Sequence, residues 1–382
     1  MKLLLMAGLT GCSVYAQEEP RLEITHEGKD VHISWASKPG ESYRVLSKNT
    51  LLDTPWYPLH TILGTGEIIT HTQQVVSVSK VYSVEARANP LYQKEFYVDP
   101  NSHAKAQVRA WQSTRPDDTL LMDKIARNPQ AFWFVHYSSD VDTKVRAVVS
   151  KAANAGEIPI LCAYMIPKRD CGSYSGGGAP SADAYKVWSR KFTQGIGDNE
   201  AVVIVEPDAV ALWHCLNAEE RATRSELLRE FIVDLKTNSG AIVYLDAAHS
   251  YWHPAGEMIR RLKEAGAEHA DGFSLNVSNF RSQRELIAYG EQISRGLNGK
   301  HFILDTSRNG QGPAPDSALA WCNPPGRALG IEPTWDTDHP LIDAFLWIKR
   351  PGESDGACRP GEPNAGVWWP EYALGLASRA AY

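Results

Sequence analysis

The apolar pattern of the chain centres on Ala201 to Val205, five apolar residues in succession. Such a run reads as a strand covered on both faces, as strands of parallel sheets are. It leads into Glu206-Pro207-Asp208, where proline ends the ladder and holds the residue before it extended. An aspartate therefore stands just past the C-terminal end of a core strand, where α/β barrels build their active sites.

Six further strand-like runs follow the same logic from Asn89 onward, at 131–138, 158–167, 241–249, 272–280, 301–308 and 343–351. Amphipathic stretches separate most of them. Val145, Val148, Val149 and Ala152 keep helical spacing with Gly156 as a stop, and Asn217 with Glu220 forms a capping-box pattern before Leu228, Phe231, Ile232 and Leu235. Repeated βα units predict a parallel barrel or an open parallel sheet. No glycine-rich phosphate loop follows the first strand, so a nucleotide site is not expected.

Residues 21–87 carry a different period. Val31, Ile33 and Trp35 alternate onto one face, and Val76, Val78, Tyr82 and Val84 onto another, with turn signals at KPGES and GTGE. This predicts a small all-β sandwich, similar to fibronectin-type or immunoglobulin-like modules, with Trp35 in its core. A spacer or packing role fits it better than a ligand-binding one, because Trp56-Tyr57 alone makes no binding strip.

Polar residues collect at one end of the seven strands. Asp170 follows the second and Asp208 the third; Asp246 and His249 end the fourth, Asn276 and Asn279 the fifth. Asp305, Arg308 and Asn309 end the sixth, and Lys349, Glu353 and Asp355 the seventh. Carboxylates at the same end of successive strands converge on one mouth, and gathering so many acids without function would be costly.

Composition narrows this only a little. A chain of 382 residues, 43% hydrophobic and 22% charged, has room for a large core and a second module. A net charge of −6 leaves no basic face for nucleic acid. Twelve Trp and fifteen Tyr supply flat rings of the kind that stack on the C–H faces of sugars. The N-terminus, Lys2 followed by LLLMAGLT, is too short to span a bilayer and reads as an export signal within residues 1–16. Leu9-Thr10-Gly11-Cys12 resembles a lipobox that would anchor the protein by lipid on Cys12, while Val14-Tyr15-Ala16 suits release of a soluble protein. Both predict an oxidising compartment, periplasmic, surface or secreted. Of the five remaining cysteines, Cys162 lies in an apolar strand as a buried thiol, and the other four lack the paired CxxC spacing of a zinc site.

NPLYQKEFYVDPNS, RDCGSYSGGGAP, VEPDA, YLDAAHSYW, NVSNF and WIKRPGESDG, in that order, resemble the motifs of glycoside hydrolase family 6, the inverting cellulases. The resemblance covers roughly residues 89–382. It implies an incomplete, seven-stranded parallel β/α barrel, so the fold class is α/β with a preceding β-sandwich. It also implies an inverting endo-β-1,4-glucanase that works without cofactor or metal, on β-glucan, as a monomer. Asp208 would be the proton donor and Asp170 its neighbour, modulating its pKa and orienting water. Tyr164 would crowd the distorted sugar, and Asp355 would be the base unless Lys349 and Arg308 hold it in an ion pair.

By the same resemblance Trp133, Trp252 and Trp321 are sugar platforms. Asp246, His249, Asn276, Lys349 and Glu353 belong to the substrate-binding set. Trp368 and Trp369 are motif residues whose packing and substrate roles stay undivided. Disulfides would join Cys171 to Cys215 and Cys322 to Cys358. Where many relatives place a water-holding serine, this chain has Gly176, with Ser173 or Ser175 as substitutes. Cys215 follows Asp208 by seven positions and Cys358 follows Asp355 by three, while Ala255 stands where a distal product-side tryptophan would be. Short covering segments predict an open, endo-acting cleft. An exo-acting cellobiohydrolase, a hydrolase of mixed-linkage glucan and an inactive glucan-binding protein are the alternatives.

Overall fold

The computed structural model describes residues 19–53, 55–74, 80–315 and 317–382. The export signal with Cys12 lies outside them, as do Val76 and Val78. The chain divides into two compact units: one runs through Tyr92 and takes in Asp336–Asp343, the other comprises Gln93–Trp335 and Ala344–Tyr382.

In the first unit six strands form two antiparallel three-stranded sheets. They are β1 (Glu23–Glu27), β2 (Asp30–Ala36), β3 (Glu41–Lys48), β4 (Tyr57–Leu63), β5 (Ile68–Gln74) and β6 (Val81–Ala88). The sheet orders are β1-β2-β5 and β4-β3-β6. Val31, Ile33 and Trp35 of β2 meet Tyr43 and Val45 of β3 and Val84 of β6 in one buried cluster. This is the sandwich that the period-two alternation predicts. Strand β4 was not evident in the sequence, because none of its residues is fully buried and its apolar alternation is weak.

The second unit alternates helix and strand. It contains α1 (His103–Trp111), α2 (Pro116–Ala126), β7 (Phe132–Phe134), α3 (Val141–Ala155), β8 (Ile160–Ala163), α4 (Ala182–Ile196), β9 (Glu200–Val205) and α5 (Ala218–Asn238). There follow β10 (Gly240–Asp246), α6 (Ala255–Glu264), β11 (Gly272–Leu275), α7 (Gln283–Gly296), β12 (His301–Asp305), β13 (Ile342–Leu346) and α8 (Pro370–Ser378). The seven strands β7 to β13 lie side by side in chain order in one sheet. Strand β9 pairs in parallel with β8 and β10, Val205 lying beside Ala163 and Leu245. All five residues from Ala201 to Val205 are fully buried, which explains why the run has no polar alternation. At the two edges, Ala131 N–H donates to Trp347 O at 3.1 Å and the Trp133 indole to Ile348 O at 2.7 Å. The sheet is thus an incomplete barrel whose edge segments touch.

The helix signals act as read. Gly156 ends α3 at φ +74, a left-handed position that glycine takes without cost. Asn217 and Glu220 form the capping box of α5, and Leu228, Phe231, Ile232 and Leu235 are its buried face.

Candidate active site

The strands end in tight backbone. Asp170 has φ +53, Cys171 +47, Glu206 +47, Asp208 +68, Ala248 +54 and Asn276 +70. Non-glycine residues rarely adopt positive φ, and where several do so together the surrounding structure must hold them. The expectation that Pro207 keeps Glu206 extended is therefore corrected. The local preference before proline is overridden by the buried bonds that Glu206 makes on both its main chain and its side chain.

Those bonds are extensive. Glu206 N–H donates to Ala163 O at 2.9 Å. Its carboxylate accepts from Met165 N–H at 2.8 Å, Ile166 N–H at 2.9 Å and the Tyr185 hydroxyl at 2.9 Å. Beyond Val205 the chain leaves the sheet, so this side chain satisfies donors that β9 no longer reaches. Each donor left unsatisfied would cost about 1–3 kcal/mol. Burial raises Glu206 to a pKa of about 7, against those hydrogen bonds, which lower it.

Asp208 is surrounded by protein, with part of its surface open to the mouth. Burial pushes its pKa well above the carboxylate range, and the charges of Asp246 and Asp170 push it further, while a hydrogen bond from Tyr164 acts the other way. Asp246 accepts from Asp208 N–H at 2.9 Å, from Ala248 N–H at 3.1 Å and from the Ser274 hydroxyl at 3.2 Å. Burial lifts Asp246 to about 6 against those donors. Two carboxyls so close cannot both ionise easily. The Asp246 charge therefore favours the protonated form of Asp208.

Asp170 opens the glycine-rich loop after β8. Its Oδ2 accepts from Ser175 N–H at 2.8 Å, and burial raises its pKa. Ser175 thus contributes its backbone to Asp170. Arg169 stacks on the Tyr164 ring at 4.6 Å and donates to the carbonyls of Val135, Tyr164, Ser175 and Gly176. Trp133 meets the Tyr164 ring edge-on at 5.4 Å.

The loops after β12 and β13 form the other half of the mouth. Asp305 accepts from Ser278 N–H at 3.0 Å and Lys349 N–H at 2.9 Å, fastening three strand ends together. Asp355 is buried, with Arg308 Nη1 at 2.8 Å and Lys349 Nζ at 3.4 Å. Asn323 N–H donates to the same carboxylate at 3.0 Å. Burial alone would raise Asp355, but Arg308 and Lys349 outweigh it and hold its pKa below the usual value.

The residues read as sugar contacts divide into accessible and committed groups. Trp321 is exposed and packs against Tyr174 at 5.7 Å. Trp252 is half-buried beside His249, ring to ring at 5.4 Å. Burial and Arg281 push His249 down to about 4, so it is neutral, with Nδ1 accepting from Tyr251 N–H at 3.3 Å. In contrast, the Asn276 amide is taken up by Asp305 O at 2.8 Å, Asn279 O at 3.3 Å and Arg281 N–H at 3.0 Å. Glu353 is held by Arg350 at 3.1 Å and faces His103 at 3.4 Å. Trp368 packs onto the cluster of α1, α2 and α8 and donates to Gln107 at 3.2 Å, and Trp369 stacks on Tyr372 at 5.4 Å.

Disulfides join Cys171 to Cys215 and Cys322 to Cys358, and Cys162 is buried and free. Glu362 lies near the second pair, but those sulfurs are bonded to each other and offer no thiolate to a metal.

Three residues of this framework were not picked out in the sequence: Glu206, Arg224 and Asn323. Arg224 carried a readable signal, since it sits four positions before Leu228 on the apolar face of α5. An arginine there needs buried acceptors. Nothing local distinguishes Asn323.

A parallel sheet with several carboxyls gathered at its mouth, one of them with a strongly raised pKa, suits the two-carboxyl chemistry of glycoside hydrolysis. The chain matches the Glycosyl hydrolases family 6 profile over residues 91–380 and belongs to that family. It is 43% identical over 290 residues to endoglucanase A of Cellulomonas fimi, covering 75% of this chain and 62% of that protein's length. It is 41% identical over 315 residues to endoglucanase A of Thermobispora bispora, covering 80% of this chain and 67% of the relative. The structure of endoglucanase Cel6 from Mycobacterium tuberculosis, in complex with methyl-cellobiosyl-4-deoxy-4-thio-β-D-cellobioside, is 46% identical. It superposes with a TM-score of 0.72 over 76% of this chain and 99% of that one.

Proposed function

We propose that this protein is an exported endo-β-1,4-glucanase that hydrolyses internal bonds of cellulose or a related β-glucan with inversion. The observation that carries the reading is Asp208. Burial and the charges of Asp246 and Asp170 favour the protonated form of its carboxyl, and a proton at that point is what a departing glycosidic oxygen requires. Tyr164 lies beside it as the wall against which a distorted sugar would press. Asp170 favours the proton on Asp208 through its charge and would orient the attacking water. Trp133, Trp252 and Trp321 supply the platforms, with neutral His249 and the Lys349 ammonium as donors to hydroxyls. Asp355 is ionised and could accept a proton from water, but its pairing with Arg308 and Lys349 weakens it as a base. Asn276 and Glu353, whose polar atoms are engaged within the protein, shape the subsites more than they bind sugar.

Inversion is tested by proton NMR in the first minutes of hydrolysis, before mutarotation. An α-anomeric product is expected, and a β-anomeric product would require a covalent nucleophile and overturn the reading. Endo action is supported by the short segments that follow Asp208 and Asp355 and by the endoglucanase names of the relatives. Carboxymethylcellulose viscosity should fall steeply while few reducing ends have appeared. Cellobiose as nearly the sole early product, with viscosity unchanged, would favour an exo-acting enzyme, and no release of sugar a glucan-binding protein. The two disulfides fit folding in an oxidising compartment. Mass spectrometry of the exported protein would distinguish lipidation of Cys12 from soluble release, and its solution mass would test the expected monomer.

A further inference from the structure

Glu206 and Arg224 take part in none of the roles assigned so far, yet both are almost wholly buried between the loops that carry Asp170 and Asp208. The loop after β8 leaves the sheet at Tyr164, and the turn after β9 leaves it at Glu206. Along this seam the Glu206 carboxylate accepts from Met165 and Ile166, which lead into Asp170. Arg224 has the complementary polarity. From α5 its guanidinium donates to Pro167 O at 2.8 Å and Lys168 O at 3.1 Å on one loop. It also reaches Leu212 O at 2.9 Å and Ala209 O at 3.3 Å on the other. The acid satisfies the N–H groups and the arginine the carbonyls; burial lowers the Arg224 pKa, and the Glu206 charge opposes that shift. The Cys171–Cys215 bridge ties the same two loops further out.

We propose that Glu206 and Arg224 are positioning residues that set the separation of Asp170 and Asp208, and with it the protonation of the acid. Asp170 acts on Asp208 through its charge, so a change in their spacing alters how long Asp208 keeps its proton as pH rises. Bonds to both loops at once give the pair this leverage, since α5 cannot move relative to one loop without moving the other. The proposal rests on the reading of Asp208 as the acid.

The test uses the full chain and a soluble cello-oligosaccharide. In E206Q one acceptor oxygen becomes an amide nitrogen facing backbone donors, and R224K loses the fork that spans both loops. Folded E206Q and R224K should lose about 10- to 100-fold in kcat, the scale of a misplacement of about 1 Å, with KM within about 3-fold. The alkaline limb of kcat should move to lower pH as the Asp170 charge withdraws from Asp208. Tyr185, Arg169, Arg224 and Cys162 are the ionisable groups around Glu206, and Y185F serves as the control. It removes a hydrogen bond to Glu206 without touching either loop, and should keep kcat within about 3-fold and the limb in place. Losses confined to unfolding temperature or to KM, with kcat and the limb unchanged in E206Q and R224K, overturn the proposal. Should E206Q not fold, R224K decides by the same readouts. D208A measured alongside separates the two claims: if it retains turnover, the reading of the acid falls. If it is inactive while E206Q and R224K behave as wild type, only the positioning role falls.

Discussion

Asp208 and Asp355 are aspartates of one mouth, each enclosed beyond the C-terminal end of a strand in the same sheet, and they end in opposite states. Burial acts on both in the same direction, towards the neutral form. Around Asp208 the nearest charges are the carboxylates of Asp246 and Asp170, which add to that effect. Around Asp355 they are Arg308 and Lys349, which reverse it. Desolvation therefore only sets the stakes, and the sign of the neighbouring charge decides which carboxyl carries a proton. One half of the mouth is prepared to donate a proton, the other to stay negative.

The largest disturbance of this contrast is removal of the proton itself. D208A should lower turnover on cellulose by about 10²–10⁴-fold, and by much less on an aryl glycoside whose leaving group needs no proton. Comparable losses on the two substrates, measured as initial rates, would show that Asp208 does not donate. On the other side, R308M leaves Asp355 buried beside Lys349 alone. Breaking one partner of a buried pair costs about 3–5 kcal/mol, so denaturant unfolding at pH 7 should show a loss of that order. The sign with pH follows from the lowered pKa of Asp355. The pair stabilises above the unfolded value near 3.8 and is lost as pH falls through the lower folded value, so the gap between R308M and wild type should narrow only in strong acid.

D246N sharpens the contrast more gently. Without the Asp246 charge the Asp208 pKa falls, and the acid loses its proton earlier on the alkaline side. The alkaline limb of kcat should shift down by on the order of one pH unit, and an unmoved limb would mean that the Asp246 charge does not set the Asp208 pKa. The smallest effect is expected from S175A. The backbone N–H of Ser175, not its hydroxyl, holds Asp170, so kcat should stay within about 2-fold, as for changes away from specific interactions. A loss comparable to that of the acid would mean that the hydroxyl holds the attacking water in place of the missing serine at Gly176.

Much of this was legible along the chain because the signals are local. Seven apolar runs ending in polar residues are sufficient for seven parallel strands, since burial on both faces removes polar alternation. Alternation at Val31, Ile33 and Trp35 located the sandwich core, whereas β4 escaped because no residue of it is fully buried. Glu206 was hidden by its neighbour. The rule for a residue before proline predicts extended backbone, and only the donors at Met165 and Ile166 explain why it turns to positive φ. Asn276 read as a sugar ligand because a polar residue at a strand end looks the same whether it faces a ligand or a carbonyl. Asp305 O and Arg281 N–H are 29 and 5 positions away in the chain.

The seven parallel strands and the placement of acids at one end of them were set by residue type and spacing, and the family by the resemblance of short motifs. Those depend on periodicity and short motifs, which need no knowledge of what lies across the fold. The states of the acids could not be read this way. Asp208 and Asp355 are the same residue type in similar positions, and their difference comes from Asp246 on one side and from Arg308 and Lys349 on the other. Charge acts through space with a strength that depends on distance and local dielectric, and both quantities exist only once the strands have been brought together.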